Sequence, residues 1–313
     1  MVGGVVSDSA PLVDQPQQTR EPVHLYYLEE GFGAIYRRTM LNDFLTQLVN
    51  NSRLRTVAEL PLDSYGMVGA GSLILAWLGC DVSLVSDDEA LLARATALMA
   101  FNGIKGVKPI HASLYNTGLP TDAFDFTWSF DRVQALADPA RFLAELCRVS
   151  KATMVIVPNA RNYGQYAHYV YHRLSRTSCD FVGPRRWMSR TSVCSALKQG
   201  GMELVADGFI DVPWWPGFPE LPNLIRELIG RAPVTLGRRD APETDPCVPS
   251  SEQAEALRIK VEKASFIERG QHFPGFIKSL FAHNVYVLAC KPQYQRELGF
   301  SPAPLASWQG GVG

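Results

Sequence analysis

The chain has 313 residues, 30 lysines and arginines against 31 aspartates and glutamates, and 46% hydrophobic residues. That is enough to bury a full core, and the balanced charge advertises neither nucleic acid nor an anionic membrane as a partner. Six cysteines (Cys80, Cys147, Cys179, Cys194, Cys247, Cys290) are scattered without a CxxC pair, which argues for buried thiols in a reducing compartment rather than disulfides or a zinc site.

Residues 1–21 lack the basic start and apolar run of a signal peptide, and no stretch reaches the ~18 uninterrupted apolar residues of a membrane span. They read as the disordered tail of a cytoplasmic protein. Residues 22–52 read as helix, short break, helix, forming a cover whose Leu41, Phe44, Leu45, Leu48 and Val49 share one buried face. Tyr26 and Tyr27 either close over a pocket or pack in that cover.

The stretch from Thr56 to Ala90 organises the rest. A short apolar strand (Val57, Ala58, Glu59, Leu60) enters a turn with Pro61, Asp63, Ser64, Gly66, Gly69 and Gly71. A helix follows (Leu73, Ile74, Leu75, Trp77, Leu78), stopped at Gly79, and then a second strand (Val82, Leu84, Val85) runs into Ser86, Asp87 and Asp88. This is a βαβ unit, which places a ligand at the carboxyl ends of its strands, and a nucleotide-like cofactor is expected there.

The next helix carries Leu91, Leu92, Ala95, Leu98 and Met99 and ends at Asn102 and Gly103. Strands follow at 107–113 and 124–130. A helix opened by Pro139 presents Phe142, Leu143, Leu146 and Val149, and leads to an almost wholly apolar strand at 153–159. After an aromatic and basic segment from Ala160, a helix with Thr191 as candidate cap and Gly200 as stop precedes a strand, MELVADGFIDV, and the last strand is 283–292. Residues 213–281 form an insertion too long for a plain connection. It contains an apolar stripe (Leu221, Leu224, Ile225, Leu228, Ile229) and a capping box of Ser250 and Gln253. The domain reading is an α/β domain of 53–212 and 282–293, a helical cap of 213–281, and a tail of 294–313.

VAEL with the turn after it, FDFTWSFDRVQALADPARFLAELCRVSK, VIVPN and the closing LFAHNVYVLACKP, in this order, resemble the class I S-adenosylmethionine-dependent methyltransferases. The resemblance runs from about Thr56 to Pro292. It implies a Rossmann-like, seven-stranded, mostly parallel sheet with helices on both faces and an antiparallel last strand. It also implies S-adenosylmethionine as cofactor, across Glu59, Pro61, Asp63, Gly66 and Gly69 of the first turn, Ser86 and Asp87 after strand two, Ser113 and Leu114 after strand three, and Ser129 after strand four. Pro61 and Asp63 stand where the family's first glycines fall, and Ser86 where it has an acid.

Aligning the acceptor, removing its proton and excluding water are the tasks left to the protein. The candidate bases are Asp131, His168 and His172. The two histidines share a helical face, but no third metal ligand stands nearby, so no metal is expected. Trp214, Trp215 and Phe218, beside the apolar helix, form an acceptor cap or simply pack on the sheet. The resulting expectation is methyl transfer to a small-molecule or lipid-like acceptor, with peripheral membrane contact open and no nucleic acid partner, since the basic pairs at 185–186 and 238–239 are too short and isolated. Two rivals are a catalytically silent relative retained as a binding or assembly partner, and a nicotinamide-dependent oxidoreductase, against which the missing GxGxxG counts.

Overall fold

The computed structural model describes residues 32–62, 68–166, 170, 173, 184–215, 251–270 and 272–300. The elements follow from local sequence. Helix α1 (Phe32–Asn50) forms because Ile35, Tyr36, Met40, Leu41, Leu45 and Leu48 recur at helical spacing and bury one face, while the first helix expected before it lies outside the described residues. Strand β1 (Thr56–Glu59), helix α2 (Ala70–Trp77) and strand β2 (Asp81–Ser86) form the βαβ unit. Helix α3 (Glu89–Phe101) is capped by Asp88, whose carboxylate accepts from the amides of Ala90 and Leu91. Strands β3 (Lys108–His111) and β4 (Phe124–Phe130) come next. In helix α4 (Pro139–Val149), Asp138 is the cap and Pro139 sits at the first turn, where its missing N–H costs nothing.

Strand β5 (Ser150–Pro158) is buried along nearly its whole length. Helix α5 (Arg190–Gln199) is capped by Ser189, which accepts from the Ser192 amide, and not by Thr191 as expected. Ser189 adopts the extended backbone a cap needs, whereas Thr191 already lies inside the helix. Strand β6 (Glu203–Ile210) precedes the insertion, whose described part holds helices α6 (Ser251–Ala264), α7 (Phe266–Arg269) and α8 (Gly275–Phe281). Phe218, the stripe from Leu221 to Ile229 and Ser250 lie outside the described residues. Strand β7 (Asn284–Cys290) closes the sheet. The chain does not leave the core at once after it, because Leu298 and Phe300 are buried and the Leu298 carbonyl accepts from the Arg53 amide.

The seven strands run in the order β3-β2-β1-β4-β5-β7-β6. β1 pairs in parallel with β2 and β4, β2 with β3, and β4 with β5, while β7 is antiparallel to both neighbours, β5 and β6. One core joins α1, α2, α3 and α6 to one face of the sheet, and a second joins α4 and α5 to the other. This is the expected three-layer, mostly parallel sheet with one antiparallel strand. Among the described residues, no helix is long and apolar enough to cross a membrane.

Candidate active site

Because β1 to β5 are parallel and β6 runs with them, their carboxyl ends share one edge of the sheet, where α/β sheets hold ligands. At this edge the chain leaves β1 but stays in the sheet. The Leu60 amide donates to the Trp128 carbonyl at 3.0 Å and the Leu62 amide to the Val85 carbonyl at 2.9 Å, which carries Pro61 inward with them. Glu59 is turned inward too. Its Oε2 accepts from the Ser72 hydroxyl at 2.6 Å, and Ser72 Oγ accepts from Trp128 Nε1 at 3.2 Å. This buried relay ties the ends of β1 and β4 to the first turn of α2, so Glu59 acts on the turn from beneath.

Two glycines there are required by packing. Gly69 caps α2 with φ +79°, and a Cβ on it would lie 2.8 Å from the Ala95 Cβ. A Cβ on Gly71 would lie 2.2 Å from the Trp128 ring. Asp63 and Gly66 lie outside the described residues.

At the end of β2 the capping role belongs to Asp88, which leaves Asp87 exposed and its carboxylate without a partner among the described residues. Ser86 is buried, and its hydroxyl oxygen accepts from the Asp88 amide at 3.1 Å. Beyond β3, Ser113 is exposed and Leu114 is buried in the second core. At the end of β4, Ser129 is fully buried, and its hydroxyl finds no partner among the described residues. Asp131 follows in the left-handed region, with φ 51°, and its carboxylate accepts from Gln134 Nε2 at 2.9 Å. A non-glycine residue held in that region costs on the order of 1 kcal/mol and is found disproportionately at functional sites. The candidate bases His168 and His172 lie outside the described residues. Among the described residues no group of three side chains is arranged to hold a metal ion.

The same edge continues over β5, β7 and β6 with groups the sequence reading missed. Glu268 of α7 is buried and accepts from the Tyr36 hydroxyl at 2.7 Å and from the amides of Asp211 and Val212, each at 3.0 Å. Burial, with the Asp211 charge adding, pushes its carboxyl up to about 7 against those three donors. Asp211, just past β6, has φ 60° and faces His283, just before β7. Arg37 of α1 lies over the Phe130 ring, 5.6 Å from its centroid, and spans toward these groups from the end of β4. These residues are far apart in the chain, and the signals available were only the acid closing one strand and the histidine opening the next. A separate groove of about 660 Å³ between α5 and β6, crossed by the Arg190–Asp207 ion pair at 2.7 Å, lies at the sheet edge opposite β2 and β3.

The donor set suits an adenosyl cofactor. An unused carboxylate at the end of β2 can accept from both hydroxyls of a ribose, and an orphaned buried hydroxyl at the end of β4 is a group the fold does not itself satisfy.

The family described as "Methyltransferase domain" matches residues 65–156. No curated protein matches the sequence. Among solved structures, the chain is similar to the 4+2 cyclase SpnF, at 16% identity and a TM-score of 0.47 over 83% of this chain and 81% of that one. It is similar to a SAM-dependent methyltransferase from Aquifex aeolicus at 18% identity and a TM-score of 0.43, covering 61% and 94%. It is similar to a phosphoethanolamine N-methyltransferase from Haemonchus contortus at 17% identity and a TM-score of 0.43, covering 80% and 53%. Over residues 65–156, which lie within the seven-stranded sheet, the chain is thus similar to methyltransferase domains.

Proposed function

We propose that the chain, working in the cytoplasm, transfers the methyl group of S-adenosylmethionine to a small, largely apolar or lipid-like acceptor. The observation that carries this reading is Asp87, a carboxylate at the end of β2 that the fold leaves unused where a ribose would be gripped. When bound, S-adenosylmethionine supplies an electrophilic sulfonium methyl. The protein's tasks are to hold it, align the acceptor and keep water out.

Asp87, with Ser86 beneath it, holds the ribose end, and Leu114 offers an apolar contact beside Ser113 for the base. The turn through Pro61, Asp63, Gly66 and Gly69, braced by Glu59, approaches the methionine part. Ser129 and Asp131 border the point of transfer, with Asp131 oriented by Gln134. The acceptor side is aromatic. Tyr163 packs edge-on to Phe281 with centroids 5.3 Å apart and donates to the Trp214 carbonyl at 3.1 Å, while Trp215 stands against Phe32 and Tyr36. The exposed Trp214 ring, edge-on to Trp215, gives an apolar molecule a place to settle.

The test is formation of S-adenosylhomocysteine by the full chain with a panel of apolar hydroxyl and amine compounds. Turnover above the acceptor-free rate supports the reading, and none across the panel with cofactor bound counts against it. Replacing Asp87 by alanine should weaken cofactor binding by about 1 to 3 kcal/mol, the usual cost of losing a charge-assisted partner. Equal affinity in the folded variant would remove Asp87 from the site. A second reading, a silent relative kept as a binding or assembly partner, is favoured by Ser86. It replaces the expected acid, and its hydroxyl oxygen is engaged in the turn at the Asp88 amide.

A further inference from the structure

His283 combines three features that nothing in the fold requires together. Its backbone completes the sheet, donating to the Asp211 carbonyl at 2.8 Å and accepting from the Asn159 amide at 2.7 Å, and this fixes the ring at the carboxyl edge. The turn that delivers it is pinned from β5, because Asn159 Nδ2 donates to the carbonyls of Ser279 and Ala282. Its Nδ1 lies 3.0 Å from Asp211 Oδ2. An ionised carboxylate only accepts, so Nδ1 carries the hydrogen and the ring's one free lone pair is on Nε2.

Nε2 is completely buried and makes no hydrogen bond among the described residues, although the Trp215 backbone is near enough to favour the protonated ring. A buried basic nitrogen held in one tautomer by a strained aspartate is costly to keep without a use. Burial lowers the affinity of the ring for a proton, but the Asp211 charge and hydrogen bond outweigh it, so the pKa is raised from its ordinary value.

We propose that His283, oriented by Asp211, is the catalytic base of methyl transfer, and that the acceptor is an aromatic hydroxyl. The inference rests on the methyltransferase reading above. A phenolic O–H is a poor nucleophile until its proton departs, whereas a neutral amine already carries its lone pair, so a preset base is a device for oxygen acceptors. In the step, the proton passes from the acceptor oxygen to Nε2. The oxygen lone pair forms the new O–C bond as the S–C bond breaks, with the bonding pair left on sulfur. The proton then leaves the imidazolium to water. Trp215 and Phe32, both only partly buried, supply the apolar surface that an arene ring packs on, with Tyr36 edge-on behind Trp215. Arg37, whose charge acts on His283, covers the Phe130 ring at the end of β4, where an aryloxide would develop its charge.

The experiment uses the full chain, S-adenosylmethionine and a matched pair of probes, 1-naphthol and 1-naphthylamine. Methylation of the naphthol in preference to the amine is expected. His283→Gln should lower kcat for naphthol at least about a hundredfold, the range of general-base catalysis, with S-adenosylhomocysteine affinity within about twofold of wild type as evidence that the site is intact.

A readout independent of turnover is the ¹⁵N spectrum of the histidines in the S-adenosylhomocysteine complex. The His283 resonances should report an Nδ1–H ring, shift when 1-naphthol is added, and switch tautomer in Asp211→Asn, whose amide can donate to Nδ1. The titration of that ring is read against the charged groups that act on it, Asp211 past β6 and Arg37 of α1. Amine preference, His283→Gln within about threefold of wild type, or a cofactor-bound protein that neither methylates naphthol nor shifts its His283 signal would each overturn the assignment. Failure to bind S-adenosylhomocysteine at all would overturn the methyltransferase reading beneath it.

Discussion

Replacing Glu268 by alanine is expected to destabilise the protein by at least about 3 kcal/mol, because three buried donors lose their acceptor together. The Tyr36 hydroxyl and the amides of Asp211 and Val212 all end on this one carboxylate, and stranding each costs about 1 to 3 kcal/mol. The deficit should depend on pH. The folded carboxyl keeps its proton up to about 7, whereas the unfolded one releases it near the ordinary value of 4.5. Between those values the folded state binds more protons, so this contribution to stability is fully present below pH 4.5 and is lost as pH rises through 7. The interval corresponds to about 3 kcal/mol. Urea unfolding at pH 5 and pH 8 should therefore show a larger gap between wild type and Glu268→Ala at the lower pH. A gap of equal size at both would contradict the assignment of a protonated, buried Glu268.

The second large effect is at Trp128. Its ring is fully buried, packs against the bare face of Gly71 and donates to Ser72 in the relay to Glu59. Trp128→Ala should cost about 3 to 5 kcal/mol, the range for removing a large aromatic from a core. Gly71→Ala should be destabilising on its own, since the new methyl would lie 2.2 Å from a ring that cannot withdraw. The two substitutions should not add, because without the indole the Gly71→Ala methyl occupies part of the space left behind. A double-mutant cycle by chemical denaturation reads this directly, and strict additivity would mean that the close approach of α2 to β4 is not as described.

These two sites also mark what sequence could and could not disclose. The sheet was legible because its strands are short apolar runs separated by helices with ordinary signals, such as Pro139 at the start of α4 and Asn102 with Gly103 at the end of α3. The antiparallel last strand followed from the family resemblance. Local choices between adjacent residues were harder. Ser189 rather than Thr191 caps α5, because a shift of two positions changes the backbone conformation without changing the pattern of polar residues.

The acidic and basic cluster over β6 and β7 was illegible for a different reason. Asp211 meets His283 across 72 positions and Glu268 across 57. Only the pairing of β6 with β7 and the docking of α7 against α1 bring them together, and no periodicity encodes that. The first turn stands between these cases. Gly69 and Gly71 were visible as glycines, but their close packing against Ala95 and Trp128 was not. The inward role of Glu59 depends on Ser72, thirteen residues on.

The most direct test of the account is calorimetric titration of the folded full chain with S-adenosylmethionine and, separately, S-adenosylhomocysteine. Binding of both in the micromolar range, weakened in Asp87→Ala, is the predicted result. Absence of detectable binding of either ligand, with the protein shown to be folded, would contradict a working cofactor site at the ends of β1, β2 and β4.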